Sequence, residues 1–496
     1  MASTPQLRQG LSQRQLSMIA LGGVIGAGLF VGSGVVIKDT GPAAFLTYAL
    51  CGLLIVLVMR MLGEMAAADP STGSFADYAA KALGGWAGFS VAWLYWYFWV
   101  IVVGFEAVAG GKVLNYWFHA PLWLLSLFLM VLMTLTNLFS VSSFGEFEFW
   151  FAGIKVATIV IFLVVGTAFV LGLVPGHAGG LANLTAHGGF FPKGVGAVFA
   201  AIVVVIFSMV GAEIVTVAAA ESRDPQLAVQ KATRSVVARI GVFFVGSVFL
   251  LVVVLPWDSV ELGASPYVAA LSHLGLRGAD QVMNAVVLTA VLSCLNSGLY
   301  TASRMLFVLA DRGQAPIRLI RLSGRGVPHI AILCSSAVGF GCVVMARVAP
   351  NTVFLFLLNS SGAIILFVYW LIAASQIVLR RRTPAEKLRV KMWFFPVLSI
   401  LTLAAITAVL VQMAFDRSAR SQLWLSLLSW AVVIGLYFAA RARGRIPLER
   451  IAFRGRRGVA LDPGGDDEPA EAEQGSARSA EEGLGHVEGG HLGGRG

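Results

Sequence analysis

Twelve long apolar stretches, broken by short polar loops, leave this chain almost no way to fold in water. A helix needs about 20 apolar residues to cross the hydrocarbon core of a bilayer. On that rule spans fall near residues 17–37, 43–62, 87–111, 121–140, 149–173 and 195–219. A second set falls near 235–255, 280–309, 328–347, 352–378, 393–414 and 422–441. The runs are too long and too evenly apolar for the alternating strands of a membrane barrel. An all-α membrane protein is therefore expected. Only 12% of the residues are charged, against about 25% in a soluble domain, and the mean hydropathy is +0.81. Such a chain cannot cover itself with polar groups, so its solvent has to be largely lipid.

The net charge of +10 does not mark a nucleic-acid partner, because the basic residues sit in short clusters between the apolar runs. Their placement instead sets orientation, since loops rich in Lys and Arg stay in the cytoplasm. One side collects Arg60, Lys81, Arg223, Lys231, Arg234, Arg304, Arg312, Arg318, Arg321, Arg380, Arg381 and Arg382. The other holds only Lys38, Lys112, Lys193, Arg277, Arg347, Arg417 and Arg420. Both termini are predicted inside, in the plasma (inner) membrane. The organisation expected is a cytoplasmic N-terminus at 1–16, a membrane domain at 17–441 and a cytoplasmic tail at 442–496. Beyond about residue 458 the tail turns rich in Gly, Glu and Ala, with almost no apolar residues, and is expected to be disordered. The polar opening MASTPQLRQGLSQRQ leads into a run without a clear cleavage site. Cys51, Cys294, Cys334 and Cys342 lie in apolar runs without metal-ligand spacing and read as packing residues. The aromatic stretch GGWAGFSVAWLYWYFWV reads as an interfacial belt running inward.

Chemistry in such a chain belongs where a span is interrupted, because irregular backbone in a membrane is tolerated only where it lines a cavity. The first span reads ALGGVIGAGLFVGSG, with glycines at 22, 23, 26, 28, 32 and 34. Taken alone, that cluster fits either close helix packing or an unwound stretch with exposed amides. The sixth reads FSMVGAEIVTVAAAESRDP and carries Ser208, Gly211 and Glu213 inside an apolar run. Spans one and six hold corresponding positions in two five-helix halves of opposite orientation, and matched breaks of that kind point to a binding site at the midplane. Helix N-terminal ends there attract a carboxylate and exposed carbonyls receive an ammonium group, so a zwitterion fits both poles.

Three ionisable residues are expected inside spans: Glu106, Lys155 and Glu213. Charges at that depth are costly and should face protein or water. Lys155 fits a proton carrier or a structural ion pair. Glu213 fits a site or gate residue, and Glu106, placed nearer the outer side, fits a site wall or a group reaching interfacial water. The amphipathic loops PSTGSFADYAAKALG and RMLFVLADRGQAPIRLIRLSGRGVP are expected on the cytoplasmic interface, as gate elements or as passive surface segments. There is no Walker string, no cluster of catalytic groups and no repeated filter loop, so ATPase, enzyme and channel are all disfavoured. No metal site and no cofactor are expected.

With GVIGAGLFVGSG, GEFEFW, FSMVGAEIVTVAAAESRDP, SCLNSGLYTASRML and LNSSGAIILFVYW in hand, the chain resembles the amino acid transporter family of the amino acid–polyamine–organocation superfamily over about residues 10–445. The resemblance implies a five-plus-five inverted repeat, the LeuT-like fold, with two extra C-terminal helices. It implies secondary active transport of a small amino acid by proton symport and alternating access, with the proton gradient as driving force. Foremost among substrates is 4-aminobutyrate (GABA), with 2-amino acids such as proline or an aromatic amino acid as the alternative; a sensor that moves nothing is a remote third. Carried over by motif, Val24, Gly26, Ala27 and Gly28 of the first span bind substrate, Ala27 and Gly28 through amides to its carboxylate. Phe207 and Val210 offer carbonyls to the amine, the Phe207 ring acts as a gate, and Gly211 and Glu213 complete that side. Lys155 takes the place of a sodium ion and couples the proton. Glu106, Ser208 and Asn296 are candidates for site wall or gate. Span three departs from the family pattern in VVGFEAVAGGKV, with its extra glycines and Lys112, and substrate choice turns on that span.

Overall fold

The computed structural model describes residues 25–69, 74–139, 141–173, 180–211, 213, 236–259, 265–275, 278–324, 326–350, 352–384, 386, 388, 390–417 and 419–444. Val24, the N-terminal 1–16 segment and the C-terminal tail beyond 444 lie outside the described residues. Among those described there is no strand. The helices are α1 (Ala27–Phe30), α2 (Gly32–Thr40), α3 (Ala44–Ala68), α4 (Ser74–Leu83), α5 (Gly85–Phe118), α6 (Leu122–Phe139) and α7 (Val141–Val170). After them come α8 (Val195–Ala200), α9 (Ile202–Ser208), α10 (Val236–Val254), α11 (Pro266–His273) and α12 (Ala279–Asp311). The last four are α13 (His329–Val348), α14 (Val353–Arg382), α15 (Val397–Phe415) and α16 (Arg420–Ala442).

Among the described residues ten helical stretches are long and apolar enough to cross a membrane, and one of them, Ala27–Ala68, covers 42 residues. At 1.5 Å per residue that is about 63 Å, twice a bilayer core of about 30 Å. The stretch turns back on itself. Gly28 lies against Ser208, Gly41 against Pro192, and Gly52 again beside Met209. Gly41 makes the turn at φ +73°, with Pro42 following in a short 3₁₀ segment at Gly41–Ala43. Counting this stretch as two passes and adding the shorter apolar segment Val195–Ser208 gives the twelve expected from the sequence.

Small residues let the passes approach closely, as in membranes they must when lipid competes equally for apolar surface. A methyl group at Gly104 would strike Cys342 of α13, one at Gly110 would meet Leu129 of α6, and one at Gly362 of α14 would strike the Val203 carbonyl of α9. The extra glycines of span three therefore serve packing against α6 and α13. Lys112 of the same helix places its ammonium 4.1 Å from the centre of the Phe354 ring.

The two amphipathic loops are built into the bundle. α4 buries Phe75, Tyr78 and Ala79, and lies so close on α5 that a methyl at Gly88 would be 2.8 Å from the Ala76 carbonyl. Asp77 pairs with Arg312 through both carboxylate oxygens, at 2.5 and 3.1 Å. Leu306, Ala310 and Leu319 of the second loop form their own buried cluster with Ala331. At the same end Glu64, only 2% exposed, accepts hydrogen bonds from Gln376 (2.8 Å), Arg380 (2.8 Å) and the Met392 amide (2.5 Å). Gln376 also accepts from Ser399, which fastens α15 to α14.

Candidate functional site: a cavity between two interrupted helices

The two breaks face each other. In the first span the backbone is irregular at Ile25 and Gly26, and α1 runs for a single turn before α2 takes over at Gly32. In the sixth, α9 ends at Ser208; the Met209 and Val210 amides bond back to Ile206 and Phe207 (3.2 and 3.3 Å), and Gly211 leaves the helix at φ +108°. Only glycine adopts that φ without strain. The breaks are pressed together by residues with no side chain to spare. A methyl at Gly28 would be 2.7 Å from Ser208 Cα, and one at Gly26 would be 2.5 Å from Cys294 Sγ and 2.7 Å from Glu106 Oε1.

Between them lies a small cavity lined by Gly26, Gly28, Glu106, Phe207, Ser208 and Val210 together with Phe98, Trp99, Val102 and Cys294. Glu106 is 3% exposed and turned into the cavity rather than to an outer interface, and both its oxygens lie 3.3 Å from the Ala27 amide, which donates to them. A carboxylate thus already occupies the amide at the start of α1, where the partial positive end of the helix backbone favours it. The Phe207 ring packs edge-on against Phe105 at 4.7 Å, and Phe105 meets Phe354 at 4.8 Å, closing one side of the cavity with aromatic rings. On the other side Glu213, fully buried, accepts hydrogen bonds from Tyr95 of α5 and Tyr369 of α14, each at 3.1 Å, and from the Gly211 amide at 3.2 and 3.1 Å. Three separate elements are tied to one carboxylate there.

Lys155 is fully buried on α7, and its ammonium donates to Ser293 Oγ at 2.8 Å. Ser293 precedes Cys294, whose thiol donates to the Ile25 carbonyl at the first break (3.4 Å). The lysine is thus joined to the cavity through α12. Asn296, a candidate for wall or gate, is not among the residues that line this cavity. Its carbonyl accepts from Asn137 (2.7 Å) and ties α12 to α6, because position 296 falls on another face of the helix from 294.

Several site residues escape the sequence reading. Tyr95, Phe98 and Trp99 come from the stretch read as an interfacial belt, and Val102 follows it; their spacing with Glu106 follows one helical face, and that face turns inward. Cys294 lines the cavity and Cys334 is exposed, so only two of the four cysteines are simple buried packing residues. Glu148, lying in GEFEFW and fully buried 3.9 Å from Lys155, stands two turns before it on the same face of α7.

The arrangement of two broken helices around a small buried cavity accords with what the chain matches. The amino acid permease pattern covers residues 15–449. The chain belongs to the amino acid permease family. It is similar to a gamma-aminobutyric acid permease from Bacillus subtilis (strain 168), 54% identical over 88% of this chain and 94% of that protein. A gamma-aminobutyric acid permease from Escherichia coli (strain K12) is 45% identical over 83% and 89%. An aromatic amino acid transport protein from Corynebacterium glutamicum is 40% identical over 87% and 94%. Among solved structures, a manganese transporter from Eremococcus coleocola superposes with a TM-score of 0.55 over 88% of this chain and 94% of that one. At 12% identity that likeness shows the fold alone, and the fold is the one that the family resemblance implies.

Proposed function

We propose that this permease imports 4-aminobutyrate by proton symport and alternating access. The observation that carries the substrate is the 54% identity to a gamma-aminobutyric acid permease over nearly its whole length, against 40% to an aromatic amino acid carrier. The cavity agrees in kind. The Ala27 amide holds a carboxylate, that of Glu106, and entry of the substrate carboxylate displaces it. The Phe207 and Val210 carbonyls, at the loosened end of α9, receive the amine.

Orientation follows from the basic residues at the α3–α5, α12–α13 and α14–α15 connections, which put that face in the cytoplasm of the cell (inner) membrane. The Tyr95–Glu213–Tyr369 cluster then closes the cavity towards the cytoplasm, and the Phe207–Phe105–Phe354 rings close it towards the outside. The two closures open alternately. Lys155, bonded beside the first break, takes up and releases the coupled proton.

Uptake of labelled 4-aminobutyrate into proteoliposomes with an inward proton gradient tests the reading. Concentrative uptake that collapses with a protonophore, and resists excess unlabelled proline and phenylalanine, is the expected result. If 4-aminobutyrate is not taken up while a 2-amino acid accumulates, the substrate assignment passes to that amino acid.

A further inference from the structure

We infer that Ser293 and Glu148 form the route by which the proton leaves Lys155 towards the cytoplasm. The inference rests on the coupling role proposed for Lys155 and adds two residues and a direction to it. Three side chains on two helices are arranged in series. The Lys155 ammonium donates to Ser293 Oγ at 2.8 Å, and the Ser293 hydroxyl donates to Glu148 Oε1 at 2.6 Å. The direct Lys155–Glu148 separation is 3.9 Å, so the hydroxyl stands between the two charges as a hydrogen-bonded bridge. Its polarity is already that of a transfer away from the lysine.

The pair makes poor sense as a brace alone. Both side chains are fully buried, and the second oxygen of Glu148 has no hydrogen-bond partner among the described residues. A buried ion pair repays its desolvation only when its remaining lone pairs are satisfied, and a buried polar atom without a partner calls for a functional reason. Glu106 and Cys294, both lining the cavity, also interact electrostatically with Lys155. The Glu148 carboxylate stays within 3.9 Å of the Lys155 ammonium, while its backbone lies about 10 Å nearer the start of α7, the end that the loop charges place inside.

The step balances without a further reagent. An N–H bond of the Lys155 ammonium breaks as Ser293 Oγ takes that proton, and the original Ser293 O–H breaks as its proton passes to Glu148 Oε1. Lysine and glutamate end neutral and the serine unchanged. Glu148 then gives the proton to cytoplasmic water when the inner closure opens.

Proteoliposomes carrying the full chain, with labelled 4-aminobutyrate as probe, separate the possibilities. Two readouts are needed: accumulation driven by an inward proton gradient, and counterflow exchange, which needs no net proton release. Glu148→Gln and Ser293→Ala are expected to lower accumulation at least about tenfold, as loss of a proton-transfer group does, and to leave exchange near wild type. Ser293→Thr, which keeps a hydroxyl, is expected to retain both. If Glu148→Gln and Ser293→Ala accumulate normally while Lys155→Ala does not, the route is wrong and the coupling lysine stands. If Lys155→Ala also accumulates normally, the coupling reading falls and takes the route with it. Loss of exchange as well as accumulation in well-folded Glu148→Gln would make the residue a brace and overturn the route. Should Glu148→Gln not reach the membrane, Ser293→Ala decides alone, normal accumulation refuting the route and selective loss supporting it.

Discussion

Removing one phenol from the Glu213 cluster should weaken the inner closure by an amount that the geometry bounds. Tyr95 and Tyr369 each donate to Glu213 at 3.1 Å from different helices, and all three groups are buried. A hydrogen bond to a charged group is worth about 1.5–3 kcal/mol net, and each 1.4 kcal/mol is about a factor of ten in an equilibrium. Tyr369→Phe keeps the ring and its packing and deletes only the donor. The equilibrium between inner-closed and inner-open forms should therefore shift towards open by roughly 10- to 100-fold. Substrate arriving from outside needs the inner side closed, so its apparent affinity falls with the fraction of closed carrier. We expect Tyr369→Phe to raise the KM for uptake by about tenfold, while half-saturation from the cytoplasmic side, measured on efflux, changes much less. Tyr95→Phe should behave alike. The double variant should cost clearly more or less than the sum of the singles, because both phenols share one carboxylate. Equal KM values for uptake in wild type and both single variants would refute the closure argument, as would a strictly additive double variant.

Gly28→Ala should abolish uptake, since its methyl would lie 2.7 Å from the Ser208 backbone, and overpacking of that kind costs about 1–3 kcal/mol; transport at normal membrane levels would show that the breaks can part. Gly211→Ala, at φ +108°, should lower thermal stability by about 1–3 kcal/mol, read as a lower midpoint in detergent, together with slower uptake. Asp77→Asn should loosen α4 from α12 and reduce uptake several-fold, and the charge exchange Asp77→Arg with Arg312→Asp should restore part of it. Truncation after Arg457 should leave initial uptake rates unchanged at equal membrane levels; a slower carrier would give the tail a part in transport.

Apolar run lengths and the two glycine-marked interruptions determined the number of passes, the helical class and the place of the cavity. They did so because the costs involved are local: an unpaired amide in lipid, or a side chain at positive φ, is penalised wherever the chain goes next. The same reasoning marked Gly26, Gly28 and Ser208, and the family resemblance added Phe207 and Val210; all five line the cavity. It could not tell the inward from the outward face of a helix that is apolar all round, so Tyr95, Phe98 and Trp99 passed for an interfacial belt. It offered Asn296 as site wall or gate without its partner, Asn137 of α6, to which the structure bonds it. Glu148 and Tyr369 escaped because their meaning depends on Ser293 and Glu213, which are distant in sequence. Hydrogen bonds are short-ranged and directional. Which donors and acceptors meet across helices is decided only when the passes have packed, and tertiary structure alone turned one buried carboxylate towards the Ala27 amide, one towards two phenols and one towards a lysine.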